Sequence, residues 1–256
     1  MKVDCSWDFK GKTCIITGAA NGIGLQTSLL LAKSGANLVL VDNDQEKLPI
    51  CLDACHDISS SKHISVVADI SDESQVRRTV DLSVETFQKI DFLVAGAGIL
   101  YRTPFSEIQL DEWDELMNVN LRGLFLCNQM IVEEMLKHGS GRIVNIASVA
   151  GRSMSLIGGA HYATSKHAVI GLSRHMAREL SQRGIRVNAF CPGATKTAMI
   201  DDNLDPQQVE ELTQRIGLGR LAEPEEQARV VAFMLSDAAS YMSGACVDSN
   251  GASVML

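Results

Sequence analysis

Seven short apolar runs alternate with longer segments of helical spacing along the chain, and this alternation limits the possible folds more than any other feature. One longer segment places four apolar residues on a single face of a predicted helix: Val169, Leu172, Met176 and Leu180. Strands that alternate with helices form a parallel sheet with helices on both faces, joined by right-handed crossovers. The predicted strands are 13–17, 37–41, 64–68, 92–95, 142–147, 186–190 and 245–247.

Two local patterns predict helix starts. Ser106-Glu107-Ile108-Gln109 has the spacing of a capping box, and Ser71-Asp72-Glu73 places acidic groups at a positive helix end. No composition break, internal repeat or low-complexity linker interrupts the chain. We therefore expect residues 1–256 to form a single α/β domain.

Charge and hydropathy exclude several classes of partner. The net charge of −8, without a cluster of Lys and Arg, argues against nucleic-acid binding. Acidic residues stand near the N-terminus where a signal peptide needs an apolar run, and no run reaches the ~18 apolar residues of a membrane span. We expect a cytoplasmic protein that binds neither nucleic acid nor membrane.

The cysteines agree with a reducing compartment. There are seven, an odd and scattered set that forms no disulfide framework. Cys51 and Cys55 stand four residues apart beside His56, a spacing that a metal clip also uses. No further Cys or His pair completes a tetrahedral set, so we expect two thiols on one helix face and no bound metal.

A glycine-rich turn follows the first predicted strand and precedes a helical segment. The cofactor-binding candidates in this turn are Gly18, Asn21, Gly22, Ile23 and Gly24. Glycines let the backbone turn sharply and approach a pyrophosphate, whose charge the N–H groups at the helix start can bind. The alternative is a strand–helix turn that binds no ligand.

The Gly-x-x-x-Gly-x-Gly spacing resembles the short-chain dehydrogenase/reductase family, and the order of motifs resembles it from about Phe9 to Gly251. The resemblance implies a single-domain, doubly wound Rossmann fold with a parallel sheet of about seven strands. It also implies a nicotinamide cofactor, oxidoreductase activity on a secondary alcohol or ketone, and assembly as a homotetramer or homodimer.

Asp42 ends the second predicted strand, where a carboxylate can accept hydrogen bonds from ribose hydroxyls and repel a 2′-phosphate. No Lys or Arg stands in the glycine turn to receive such a phosphate, so NAD is favoured over NADP. Asp42 could instead cap the next helix, a role for which Asp44 is equally well placed. The resemblance places Asp69 and Ile70 against adenine, and Asp69 could also be a simple turn residue.

Tyr162 and Lys166 stand four residues apart, which puts both side chains on one face of a helix. A cation about 4 Å from a phenol contributes roughly 4 kcal/mol at an effective dielectric of 20, which lowers the phenol pKa by about three units. Tyr162 would then serve as general acid and base, with Lys166 also binding the nicotinamide ribose.

Two further catalytic candidates precede this pair. Ser148 ends the fifth predicted strand, where its hydroxyl could polarise a substrate carbonyl, although it could instead cap a helix. Asn120 matches the family asparagine that holds a water beside the lysine, and Asn118 is a competing candidate. After the sixth strand, the resemblance assigns Pro192, Gly193, Thr195 and Thr197 to the binding of the nicotinamide carboxamide. The alternative is a Pro-Gly turn that only connects a strand to a helix.

The chain departs from the family pattern twice. Ala95-Gly96-Ala97-Gly98 replaces the usual Asn-Asn-Ala-Gly, which keeps Ala97 and Gly98 as cofactor-binding candidates but removes two amides. The interval from Ser148 to Tyr162 is one residue longer than the family spacing, which we expect to reshape the substrate mouth.

The substrate is the least constrained feature. Five apolar candidates for the pocket could equally be core: Leu100, Met154, Leu156, Met199 and Ile200. His161 could face the substrate or pack, and residues 201–219 could form a lid or a surface helix pair. The leading function is a dehydrogenase of small or cyclic secondary alcohols. The alternatives are a 3-ketoacyl (acyl-carrier-protein or CoA) reductase and a non-catalytic nucleotide-sensing scaffold.

Overall fold

A computed structural model describes residues 7–255 and contains the predicted sheet. All seven strands are parallel, in the order β3-β2-β1-β4-β5-β6-β7. They are β1 (Thr13–Thr17), β2 (Asn37–Asp42), β3 (His63–Val67), β4 (Phe92–Ala95), β5 (Gly141–Ile146), β6 (Ile185–Pro192) and β7 (Cys246–Ser249). Each lies within two residues of its predicted bounds, because buried parallel strands are continuous apolar runs that are easily read from a sequence.

The helices lie on both faces of the sheet. They are α1 (Gly22–Lys33), α2 (Lys47–Ile58), α3 (Glu73–Phe87), α4 (Leu110–Met117), α5 (Leu124–His138), α6 (Ala160–Leu180), α7 (Ala198–Asp201), α8 (Pro206–Gln214) and α9 (Pro224–Leu235). One apolar cluster joins the sheet to α3, α5 and α6, and a second joins it to α1, α2 and α9. No helix among residues 7–255 is long and apolar enough to cross a membrane.

One of the two predicted helix starts is confirmed. Asp72 caps α3, since its carboxylate accepts hydrogen bonds from the N–H groups of Ser74 and Gln75. The capping box predicted at 106–109 is wrong: residues Phe105–Glu107 form a single 3₁₀ turn, and α4 begins only at Leu110. Ile108, between the two, has a non-helical backbone conformation, so Ser106 and Gln109 do not belong to one helical turn.

Candidate active site

A cleft of about 1000 Å³ runs along the carboxyl ends of the strands. Loops that follow β1 to β6 contribute to its walls, and it crosses the point between β1 and β4 where the strand order reverses. Ligands of open parallel sheets bind at such a point, because the loops on either side diverge there. The cleft is therefore the candidate active site.

The glycine-rich turn forms one wall, and all five residues predicted from it line the cleft. Gly18 has a φ of +74°, and a Cβ there would lie 2.8 Å from the backbone nitrogen of Ala97. A Cβ on Gly24 would lie 1.8 Å from the carbonyl oxygen of Gly18. Asn21 caps α1 by accepting a hydrogen bond from the N–H of Gly22. The turn thus brings bare backbone and the start of α1 to the cleft, as a pyrophosphate requires.

Asp42 connects this turn to the end of β2. Its carboxylate accepts hydrogen bonds from the N–H groups of Ala20, at 2.9 Å, and Asp44, at 3.0 Å. The helix-capping bonds belong instead to Asp44, which accepts from the N–H groups of Glu46 and Lys47. Asp42 is therefore no helix cap, and it lines the cleft.

Two further predicted cofactor residues follow β3. Asp69 accepts hydrogen bonds from the backbone and the hydroxyl of Ser71, so it does stabilise a turn, and it lines the cleft as well. Ile70 is buried beside it and also lines the cleft.

The Thr17 side chain binds the backbone after β4, where the two amides of the family pattern are absent. Its hydroxyl oxygen accepts hydrogen bonds from the N–H groups of Gly96, at 3.1 Å, and Ala97, at 3.3 Å. Ala97 and Gly98 both line the cleft, as predicted. Thr17 was not predicted, because about 80 residues separate the partners and no local pattern marks the contact.

Tyr162 and Lys166 lie on one side of α6, with the Lys166 Nζ 5.8 Å from the centre of the phenol ring. The ammonium group donates a hydrogen bond to the carbonyl oxygen of Ile146 at 3.1 Å. Both residues and Ser148 line the cleft. The predicted grouping of the hydroxyl, the phenol and the ammonium is thus present in the fold.

The expected direction of the Tyr162 pKa shift is wrong for the protein alone. Burial raises the pKa of Tyr162 above 10.0, and a hydrogen bond with Ser148 only partly opposes this effect. Burial also lowers the pKa of Lys166 to about 8. The Coulomb attraction between the two groups does not include the cost of removing both from water, which favours the neutral form of each.

Ser148 caps a turn, which was the alternative to a role at the substrate, and it also lines the cleft. Its hydroxyl oxygen accepts a hydrogen bond from the N–H of Ala150 at 3.1 Å and so caps the 3₁₀ turn Val149–Gly151. The same side chain lies near enough to the Tyr162 phenol to lower its pKa, and it lines the cleft. The cap fixes the hydroxyl beside the phenol.

Asn120 lies in a π-helical segment, Asn118–Gly123, between α4 and α5. It is 1% exposed, and its amide bonds both the N–H and the carbonyl of Ile99, at 2.8 and 2.9 Å. A Cβ on Gly98 would lie 3.0 Å from the Asn120 Oδ1 and 3.5 Å from the Lys166 Nζ, so the two side chains approach the same glycine. Asn118 is exposed at the cleft instead.

The turn after β6 closes the cleft on the side of the glycine-rich turn. Pro192, Gly193, Thr195 and Thr197 all line it, and the Thr197 methyl would lie 2.8 Å from a Cβ on Gly22. Buried Gln227 holds this turn by donating hydrogen bonds to the Thr195 hydroxyl, at 3.3 Å, and the Ser249 carbonyl, at 3.1 Å. Gln227 was not predicted, because α9 carries no recognisable motif.

All five apolar candidates for the pocket line the cleft: Leu100, Met154, Leu156, Met199 and Ile200. His161 is fully buried and binds Glu112, so it packs and does not face the cleft. Residues 201–219 include α8 and contribute Asp202, Asn203, Leu212 and Ile216 to the lining. Across residues 7–255, no three His, Cys, Asp or Glu side chains are grouped as a metal site.

Comparison with known proteins agrees with this geometry. The family model described as short chain dehydrogenase matches residues 12–208. The 3-oxoacyl-acyl-carrier-protein reductase of Thermotoga maritima is 38% identical over 96% of this chain and 99% of that relative. The levodione reductase of Leifsonia aquatica is 38% identical over 95% and 94% of the two chains.

Solved structures have the same fold. Levodione reductase superposes with a TM-score of 0.91 over 95% of this chain and 97% of that one. An NAD⁺-bound xylitol dehydrogenase, 31% identical, has a TM-score of 0.90 over 95% and 99%. A chain described as an NAD(P)-dependent gluconate 5-dehydrogenase from Beutenbergia cavernae, 35% identical, holds NADP and has a TM-score of 0.89 over 96% and 98%.

Proposed function

Because the chain belongs to the short-chain dehydrogenase/reductase family, we propose that it uses NAD(H) and a small or cyclic, mainly apolar substrate. Enzymes of this family are oxidoreductases that act on alcohol and ketone groups with a nicotinamide cofactor. The observation that carries this proposal is the convergence of Ser148, Tyr162 and Lys166 on a cleft whose opposite wall is bare backbone at the start of α1.

When bound, the nicotinamide ring supplies or accepts the hydride at C4. The Tyr162 phenol exchanges the proton of the substrate oxygen, and the Ser148 hydroxyl orients that oxygen and stabilises its developing charge. Lys166 would bind the ribose of the cofactor and stabilise the phenolate. Asn120 holds the backbone at Ile99 through two hydrogen bonds. We assign it in addition the support of a water that would carry protons to Lys166.

The choice of NAD rests on the charges of the cleft. Asp42 stands at the end of β2, where the ribose hydroxyls of a dinucleotide bind in this fold. Asp44 and Asp69 lie close by in the same lining. Lys166 is the sole basic residue among the described residues that line the cleft, and it lies at the opposite end of the dinucleotide site. A 2′-phosphate would therefore meet carboxylates without a cation to neutralise it.

The choice of substrate rests on the apolar lining and on the similarity to a relative named for a ketone, levodione reductase. A 3-ketoacyl reductase is the second candidate, favoured by the similarity to the Thermotoga maritima enzyme over almost the whole chain. The acidic lining opposes it, since an acyl carrier presents a phosphate.

We further propose a cytoplasmic homotetramer or homodimer. The described cysteines are all free, in agreement with a reducing compartment. Helix α5 packs its inner face on the sheet while Phe125, on the same helix, is 42% exposed. A second subunit could cover that ring. Sedimentation as a monomer would contradict the oligomer.

The direct test is reduction of a panel of cyclic ketones, linear ketones and acetoacetyl thioesters with NADH and with NADPH. Tyr162→Phe should lower turnover about 10²- to 10⁴-fold, because it removes the proton donor, and it should leave NADH binding, read from fluorescence, nearly intact. The matched control is Tyr241→Phe, since Tyr241 is fully exposed and outside the cleft lining. Normal turnover in Tyr162→Phe, or a wild-type preference for NADPH with thioesters, would contradict the proposal.

A further inference from the structure

In the loop after β4, residues 99–101 form a cleft wall to which the proposed hydride transfer assigns no role. Ile99, Leu100 and Tyr101 line the cleft and pack in one cluster with Tyr162. The wall is thus adjacent to the reacting end of the cleft. Asn120 fixes its first residue through the two hydrogen bonds to Ile99.

Tyr101 is held in a defined position relative to Tyr162. Its carbonyl accepts a hydrogen bond from the N–H of Gly159 at 2.8 Å, and its ring stacks on His161 with 6.2 Å between centroids and 23° between planes. His161 directly precedes Tyr162 on α6 and is fixed by its contact with Glu112, 2.8 Å from Nε2 to Oε1. A Cβ on Gly159 would lie 2.7 Å from the His161 ring, so no larger residue fits there.

The Tyr101 hydroxyl and the Glu115 carboxylate form a polar pair at the cleft wall. The Tyr101 hydroxyl donates a hydrogen bond to the Oε2 of Glu115 at 2.9 Å, and both residues belong to the lining. Burial of Tyr101 and its contact with Glu115 raise the pKa of the phenol, which keeps it protonated as a donor. The nearby lining from Leu100, Met154 and Leu156 is apolar.

A carboxylate that contacts an apolar ligand loses hydrogen bonds to water and gains no new partner. The Tyr101–Glu115 pair is therefore unfavourable for the binding of a purely apolar substrate. An ionised carboxylate offers about four acceptor positions and no donor. Tyr101 uses one of them. The free positions can bind a hydroxyl, but they gain nothing from an ether oxygen and repel an anion.

We propose that Glu115, oriented by Tyr101, is a specificity-determining residue that accepts a hydrogen bond from a second hydroxyl of the substrate. The substrate class is then cyclic hydroxyketones and the corresponding diols. This inference rests on the proposed dehydrogenase function. Tyr101 and His161 act as positioning residues, because they set where the carboxylate stands relative to Tyr162.

The test compares three ketones with NADH: cyclohexanone, its derivative with a hydroxyl at the ring carbon opposite the carbonyl, and the methyl ether of that derivative. A hydrogen bond to a charged group should make kcat/KM for the hydroxyketone about 10- to 100-fold higher than for the methyl ether. Glu115→Gln should reduce this preference about 10-fold, and Glu115→Ala should abolish it. Tyr101→Phe should reduce it partially.

Glu107→Gln is the control, because Glu107 is an exposed carboxylate in the 3₁₀ turn before α4 and lies outside the cleft lining. It removes the same charge and should leave the hydroxyl preference unchanged. NADH binding shows that each variant is folded. A wild type without hydroxyl preference, or Glu115 variants that lower kcat/KM for all three ketones in equal proportion, would overturn this inference alone. Failure to reduce any ketone would overturn the proposed function instead.

Discussion

Replacing Lys166 by Met should make the protein without ligands more stable, although Lys166 belongs to the proposed catalytic group. Lys166 is 5% exposed, and burial lowers the pKa of its ammonium group from 10.5 to about 8. A shift of roughly 2.5 units means that the folded state disfavours the charged form by about 3 kcal/mol. The hydrogen bond to the Ile146 carbonyl is lost with the substitution, which costs about 1 kcal/mol. The expected net gain is about 2 kcal/mol near neutral pH.

The sign of this effect depends on pH. Between about pH 8 and 10.5 the unfolded chain still holds the proton that folded Lys166 has released, so wild-type stability rises with pH in this window. The Met variant lacks this gain. The variant's higher free energy of unfolding should therefore approach that of wild type above about pH 8. Near pH 10.5 the variant should be about 1 kcal/mol less stable than wild type, because only the lost hydrogen bond still distinguishes the two.

The assay is urea unfolding followed by circular dichroism, without cofactor, at neutral pH and at two pH values inside the window. Lys137→Met serves as the control, because the Lys137 side chain is 64% exposed and pairs only with Glu134 on the surface. It should change the free energy of unfolding by less than about 0.5 kcal/mol at every pH. A Lys166→Met variant that is less stable than wild type near neutral pH, or a difference independent of pH, would refute the reasoning.

Two other predictions concern single side chains. Asp42→Ala should narrow the ratio of kcat/KM between NADH and NADPH by about 10-fold, because a charged acceptor is lost; an unchanged ratio in steady-state assays would contradict the cofactor proposal. His63 is 4% exposed, and burial together with nearby His56 lowers its pKa from 6.5 to about 4. Wild-type stability should fall by about 3 kcal/mol as pH decreases through this interval, since only the unfolded chain takes up the proton, and His63→Leu should remove that slope in urea titrations. A slope retained in His63→Leu would assign it to other groups.

The fold was predictable because its information is local. Each buried strand is a continuous apolar run, and each helix carries one apolar face, so alternation alone gives the parallel sheet. The failure at 106–109 marks the limit of such patterns. A capping box records the spacing of two side chains, but a helix also needs the intervening backbone, and Ile108 departs from helical conformation there.

Site residues that belong to sequence motifs were predictable, whereas site residues that are positioned only by tertiary contacts were not. The glycine-rich turn, Asp42, Ser148, Tyr162 and Lys166 stand at characteristic spacings. Thr17, Gln227 and the Tyr101–Glu115 pair reach their partners only after the chain has folded. A threonine at a strand end or a glutamine in a helix has many possible roles, and only the fold selects one of them.

The two pKa shifts at the centre of the site have one cause with opposite consequences. Burial favours neutral groups, so it keeps the Tyr162 phenol protonated and helps Lys166 lose its proton. A pairwise Coulomb energy contains only the attraction between phenolate and ammonium, whereas each must first leave water. The Lys166 Nζ lies 5.8 Å from the centre of the phenol ring, and burial raises the pKa of Tyr162. A positive charge that binds beside the phenol would lower this pKa, so the protonation of the site depends on what binds in the cleft.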